Sequence, residues 1–229
     1  MTETMFSASW FVALGSILLL DLLLSGDNAI IIALACKNLP HEQKKKAVFL
    51  GCAGAIILRV LLTLGATKLL EIPYLQFIGG VALLFIAVKL LKPEEDDHSN
   101  IQSSAKLLTA IKTILVADFI MSLDNVLSLA AVAQTVPEGK YLLILLGLLV
   151  SIPLVVCGAQ LLLKLIQHFP AIIYVGSAIL GYAAAKMMVN DHALGMYLQS
   201  FTLVLEIALP LIVVAIGLWM KRKAESYNS

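Results

Sequence analysis

Charge is scarce in this chain. Only 14% of its 229 residues are Asp, Glu, Lys or Arg and 60% are hydrophobic, whereas charged residues make up about a quarter of an ordinary soluble domain. So little polar surface cannot coat a globule in water, which excludes a soluble monomer and makes lipid the solvent for most of the chain. Cysteine is scarcer still. Cys36, Cys52 and Cys157 form neither a CxxC pair nor a disulfide framework and read as small apolar residues. An excess of one sign is also missing: 16 basic residues face 15 acidic ones, for a net charge of +1. The basic residues sit at the ends of apolar runs rather than on one face, so nothing points to nucleic acid. Met1-Thr2-Glu3-Thr4 lacks the basic region of a signal peptide, and the apolar run after it is too long for one, so the first segment is expected to stay in the mature protein.

What the chain does have is long apolar runs. Segments able to cross about 30 Å of hydrocarbon fall at approximately 7–36, 47–70, 73–91, 107–133, 141–166, 169–189 and 198–220. The expected fold is an all-α membrane protein with seven transmembrane helices. Lys and Arg set its orientation. With the N-terminus outside, the inner side collects Lys37, Lys44, Lys45, Lys46, Lys89, Lys92, Lys106, Lys112, Lys164, Lys221, Arg222 and Lys223, and the outer side only Lys68, Lys140 and Lys186. The excess of positive charge predicts a cytoplasmic C-terminus in a multi-pass protein of the plasma membrane. The polar stretch Pro93-Glu94-Glu95-Asp96-Asp97-His98-Ser99-Asn100 cannot build a core and reads as a solvated cytoplasmic linker.

A shift of 97 residues brings Asp21-Leu-Leu-Leu-Ser25-Gly-Asp27-Asn28 onto Asp118-Phe-Ile-Met-Ser122-Leu-Asp124-Asn125 without a gap. The same shift superposes Pro40 on Pro137, Pro73 on Pro170, Gly79 on Gly176 and Lys89 on Lys186. Chance similarity between apolar segments would match Leu, Ala and Val, not rare intramembrane acids. The predicted organisation is a three-helix repeat at 1–92, a linker at 93–106, a second three-helix repeat at 107–190, and a seventh helix with a tail at 191–229. An odd number of spans per unit inverts the second copy, an arrangement found in secondary transporters with a midplane site.

Five carboxylates fall inside predicted spans, Asp21, Asp27, Asp118, Asp124 and Glu206, with Arg59 the one basic residue at comparable depth. Each acid, unpaired and facing lipid, would cost about 2.5–3.5 kcal/mol. They must therefore face each other, water or a cation. Clustered carboxylates in low dielectric need protons or a divalent ion, and alternation between the two is a physical basis for exchanging metal against protons. On an ideal helix Ser25 and Asn28 share a stripe with Asp21 while Asp27 falls about 120° away, so both acids meet one ion only if the helix opens, with Gly26 a plausible place. The second copy has Leu123 there. The donors are Asp21, Asp27, Asn28, Asp118, Asp124 and Asn125, with Ser25, Ser122, Arg59 and Glu206 as supporting or proton-relay residues. Oxygen donors without His or Cys suit Mg²⁺, Ca²⁺ or Mn²⁺, and do not separate them. No permanent cofactor is expected.

Blander readings exist for each feature. The motifs, taken alone, fit polar contacts between helices. Arg59 reads first as a structural counter-charge to one aspartate, and second as an occupant of the site when metal is absent. Glu206 is a relay or faces a water-filled vestibule. Thr63 and Gln160 read as interhelical hydrogen bonds, Gly51, Gly54, Gly79, Gly80, Gly176 and Gly181 as close-packing positions, and Trp10/Trp219 and Lys89/Lys186 as interface anchors. His41, His168 and His192 read as solvated. The rival functions are an intramembrane aspartyl protease and a membrane-protein assembly factor, and a homo-oligomer stays open.

The paired Ser25-Gly26-Asp27-Asn28 and Ser122-Leu123-Asp124-Asn125, each with an aspartate six residues before its Asp, resemble the TerC family of integral membrane proteins, and the compact length resembles its YjbE-type branch. The resemblance implies a manganese exporter that is not an enzyme, some members being linked to tellurite resistance. It also implies that Asp21, Asp27, Asn28, Asp118, Asp124 and Asn125 line the cation path.

Overall fold

The structure, a computed structural model, describes residues 7–70, 72–92, 103–133, 135 and 139–227. It is helical throughout, with no strand among the described residues. The helices are α1 (Ala8–Leu24), α2 (Gly26–Cys36), α3 (His41–Leu70), α4 (Leu75–Leu91), α5 (Ser103–Ala133), α6 (Lys140–His168), α7 (Ile172–Val189), α8 (Gly195–Leu198) and, after a 3-10 turn at Gln199–Phe201, α9 (Thr202–Tyr227). The acidic stretch read as a linker falls at 93–100, outside the described residues, and α5 begins within the interval 93–106 assigned to that linker.

Among the described residues, length and hydropathy qualify four helical segments as membrane spans, His41–Thr63, Tyr141–His168, Ile172–Val189 and Gly195–Ala224. A fifth arises if Ala8–Asp21 and Gly26–Cys36, bent by 43°, count as one broken span. These are fewer than the seven expected from apolar runs. One cause is physical: α4 is apolar but has only 17 residues, about 26 Å of helix.

Apolar bulk faces outward and polarity inward. Phe49, Ile57, Phe85, Leu203 and Leu211 are exposed, while Asp21, Ser25, Asn28, Arg59, Asp118, Ser122, Asn125 and Ser177 are buried. Water would reverse that distribution, whereas lipid tolerates it. Apolar helices gain little from leaving lipid for one another, so close packing must hold them together, and small residues permit it. On α3, a side chain at Gly51 or Gly54 would collide with Ile114 or Leu115 of α5. A Cβ at Gly80 on α4 would stand 2.8 Å from the Ala184 carbonyl oxygen of α7, and one at Gly181 on α7 would stand 2.9 Å from the Cα of Pro210 on α9. The glycines thus set the α3/α5, α4/α7 and α7/α9 contacts.

One anchor reading changes. Trp10 is buried against Ile17, Leu143, Ile144 and Leu148 and belongs to the core between α1 and α6. Trp219 is 62% exposed with Lys223 over its ring, as an interface residue would be. Lys89 and Lys186 are both exposed.

Candidate functional site

The polar core is built around Arg59 of α3. Nη1 donates to Asp21 Oδ1 at 2.5 Å and to Ser25 Oγ at 3.3 Å, both at the end of α1. Nη2 donates to Asp118 Oδ1 at 2.9 Å and Nε to Ser122 Oγ at 3.2 Å, both on α5. One guanidinium therefore gathers residues from two segments that correspond under the 97-residue shift, acid to acid and serine to serine. Helical geometry explains each half: Asp21 and Ser25, like Asp118 and Ser122, are four residues apart and share a face. Ser122 also donates to Asp118 Oδ2 at 3.2 Å. Sequence reading expected Arg59 to balance one aspartate; it bonds two, which leaves one negative charge in excess if all are ionised. Only a planar fork with five donors serves four acceptors in this way.

Arg59 is held from its own helix as well. Thr63 donates from Oγ1 to the Arg59 carbonyl at 2.7 Å, so the hydroxyl expected to bridge helices bonds within α3 instead. Gln160, given the same role, lies on an exposed face of α6.

The first copy of the motif is where the helix breaks. Ser25 caps the end of α1 and the start of α2 with φ −100° and ψ 2° and supplies no side-chain cap to α2. A Ser-Gly pair is a common cause of a sharp bend, and Gly26 has open space around its Cα, so nothing packs the backbone straight there. Beyond the break Asp27 is half-buried and accepts from the Asn28 amide at 2.9 Å. Its place in the first turn of α2 suits the positive end of the helix dipole. In the second copy α5 runs unbroken through Leu123, which is buried in the main core.

Asn28 is the residue left incomplete. Both polar atoms of its side-chain amide are buried without a hydrogen-bond partner among the described residues, as is Asp21 Oδ2. Asn28 lines a cavity of about 30 Å³ with Ile32, Cys52, Arg59, Asp118 and Ser151, room for one water-sized species. Ser151, missed by sequence reading, donates to the Leu148 carbonyl. Its signal was weak because a lone serine in an apolar helix usually bonds its own backbone, as this one does.

The remaining site residues are placed as follows. Asn125 is buried on α5. Asp124 lies on α5, its side chain outside the described residues. Glu206 is half-buried on α9, which packs chiefly on α7 and α4 and so stands apart from the helices that supply Arg59 and its partners. Among the described residues no three His, Cys, Asp or Glu side chains come together as a ready metal cluster. Two of the proposed ligand acids meet on Arg59 instead. His41, His168 and His192 are exposed, as expected for solvated residues.

A second polar device lies outside the core and was not foreseen. Asp191, after α7, accepts from Phe77 N at 3.1 Å on α4 and from Ala193 N and Leu194 N at 3.0 and 2.9 Å. Burial alone would raise this carboxyl, but the amides of Leu194, Phe77, Ala193 and Tyr74 outweigh it and hold it below its ordinary value. Tyr74 occupies the cap position of α4 in the left-handed region, φ 65°, and provides no side-chain cap. Asp191 fills that role from elsewhere in the chain.

The model of the integral membrane protein TerC family matches residues 6–225. The chain belongs to the TerC family. It is an integral, multi-pass membrane protein with bacterial relatives. The uncharacterized membrane protein YjbE of Bacillus subtilis (strain 168) is 39% identical over 206 residues, covering 90% of this TerC chain and 92% of YjbE. The uncharacterized membrane protein YkoY of the same organism is 31% identical over 184 residues, 73% of this chain and 56% of YkoY. The UPF0053 inner membrane protein YgdQ of Escherichia coli (strain K12) is 28% identical over 135 residues, 52% of this chain and 57% of YgdQ. The alignments thus span nearly all of YjbE but little more than half of the other two. No solved structure matches this TerC chain.

Proposed function

We propose that this TerC protein exports divalent metal cations, Mn²⁺ foremost, by alternating access at a carboxylate site between two inverted three-helix halves. In this reading α1 with α2, α3 and α4 form the first half, α5, α6 and α7 the second, and α9 is the seventh span. The N-terminus is outside and the C-terminus cytoplasmic. Asp21, Asp27, Asn28, Asp118, Asp124 and Asn125 line the path. Metal and protons neutralise the same acids in turn, so that inward proton movement drives export.

The observation that carries this reading is the meeting of Asp21 and Asp118, equivalent acids of the duplicated motif, at one buried point beside the unsatisfied Asn28 amide. Membership of the TerC family supports it. So does the pattern of helix contacts, in which α1 and α2 lie on α6 while α5 lies on α3, an exchange between halves that an inverted repeat would produce. A helix broken at an intramembrane acidic motif is a recurrent transporter feature. Asp21 and Asp118 bond different guanidinium nitrogens, which favours an ion site over a proteolytic pair sharing one proton.

The deciding experiment is Mn²⁺ efflux from cells or proteoliposomes carrying the wild type, Asp27→Asn or Asp124→Asn. Loss of export in both variants, with protein still inserted, is the expected result. Intact export in both ends the assignment, since asparagine keeps the hydrogen bonding that a merely adhesive role needs.

A further inference from the structure

Arg59 differs from an ordinary buried ion pair in two respects. It engages equivalent acids and equivalent serines of both motif copies at once. It also leaves its neighbourhood unsatisfied: among the described residues Asp21 Oδ2 and both Asn28 amide atoms are buried without partners, and Asn28 shares a water-sized cavity with Arg59 and Asp118. Buried polar groups in native proteins are nearly always paired, so oxygen donors left over around one cation mark a place built for a different cation.

We propose that Arg59 is a tethered counter-ion: its guanidinium holds Asp21 and Asp118 in the ion-free protein, and a divalent cation must displace it to load. This inference rests on the exporter reading and adds a residue to it. If the ion left two buried carboxylates bare in low dielectric, the empty carrier would be strongly disfavoured. A side chain that swings back to the acids keeps the empty protein near charge balance without a second ion. In this proposal the displaced guanidinium turns to Asp27, which is half-buried beyond the break and accepts from the Asn28 amide. The competition also lowers apparent metal affinity to the fraction of time the acids are free of Arg59: a site free of arginine about one-tenth of the time loses about tenfold. Weak holding suits a carrier that has to release its ion.

The test uses the full-length protein in detergent and in proteoliposomes, comparing wild type, Arg59→Lys and Arg59→Gln for Mn²⁺ affinity, Mn²⁺-dependent thermal shift and Mn²⁺ export. A tethered counter-ion predicts that Arg59→Gln binds Mn²⁺ about tenfold or more tightly than wild type, with a larger Mn²⁺-dependent shift and reduced export, and that Arg59→Lys falls between. Binding by Arg59→Gln that is unchanged or weaker, while the wild type binds and exports Mn²⁺, overturns the inference and leaves the exporter reading intact. A wild type that neither binds nor moves Mn²⁺ overturns both. If Arg59→Gln is misfolded without metal, preparation in Mn²⁺ decides: recovery of monodisperse protein supports displacement, and failure to recover assigns Arg59 a structural role only.

Discussion

The two copies of the acidic motif share their polar residues and differ in their backbones. In the first, the chain stops at Ser25 and restarts at Gly26 with a 43° bend; in the second, α5 passes through Ser122 and Leu123 without interruption. The intervening residue separates them. Gly26 has no neighbour within reach of a Cβ, whereas Leu123 is 3% exposed and wedged into the core. Duplicated acids therefore do not make a symmetric site. One half presents the start of a helix and an unsatisfied Asn28, and the other presents the side of a continuous helix.

That contrast can be pressed with substitutions, the largest effect coming where charge is removed from the shared centre. Asp118→Ala removes two hydrogen bonds to a buried carboxylate, from Arg59 Nη2 and Ser122 Oγ, each worth about 1.5–3 kcal/mol, and should cost about 3–5 kcal/mol in thermal or denaturant unfolding in detergent. Asp27→Ala, beyond the break, should cost about 1 kcal/mol or less, the value of a first-turn acid. Equal losses at the two positions would show that the break does not set them apart.

Exchanging the intervening residues comes next. Leu123→Gly removes a packed side chain and inserts a flexible residue, for a loss of about 3 kcal/mol. Gly26→Leu should fold at least as well as wild type, by up to about 1 kcal/mol from helix propensity alone, and should lose export because the broken helix tends to straighten. Gly26→Leu protein with wild-type transport would make the break incidental.

The smallest effect concerns the starts of α4 and α7. The start of α4 is capped by Asp191, while α7 begins at Ala171 with no side-chain cap. Asp191→Ala should cost about 1–2 kcal/mol. Because the Asp191 carboxyl is depressed in the folded protein, its contribution is present above the unfolded value of about 3.9 and is lost as pH falls through the depressed folded value. A melting-temperature profile should show a shallower acid limb in Asp191→Asn than in wild type. Parallel profiles would remove Asp191 from the account of acid stability.

Much of this was legible from residues alone because charge in an apolar chain has few places to go. The helices lie within a few residues of the predicted runs, and Asp21 and Asp118 were marked by the 97-residue shift before they met on Arg59. What stayed hidden depended on which way a helix faces. A segment apolar on every side carries no periodic signal separating its lipid face from its protein face, which is why Trp10 was read as an interface anchor and lies in the core. Asp191 was invisible for another reason: its partner Phe77 is 114 residues away and contributes only a backbone amide, which every sequence position offers alike. The number of spans is ambiguous where a helix is short, as in α4.

α4 is fastened at both ends by distant parts of the chain: Lys37 Nζ donates to the Leu90 carbonyl at its C-terminal end at 2.6 Å, and Asp191 accepts from Phe77 at its N-terminal end. Each fastener carries the charge that its end of the helix favours. During synthesis the lysine emerges before α4 and the aspartate only after nearly all the rest of the protein. The helix can therefore be caught early at its trailing end, but its leading end stays unfinished until the ribosome has passed α7, so α4 is fully fastened only after most of the chain has been made.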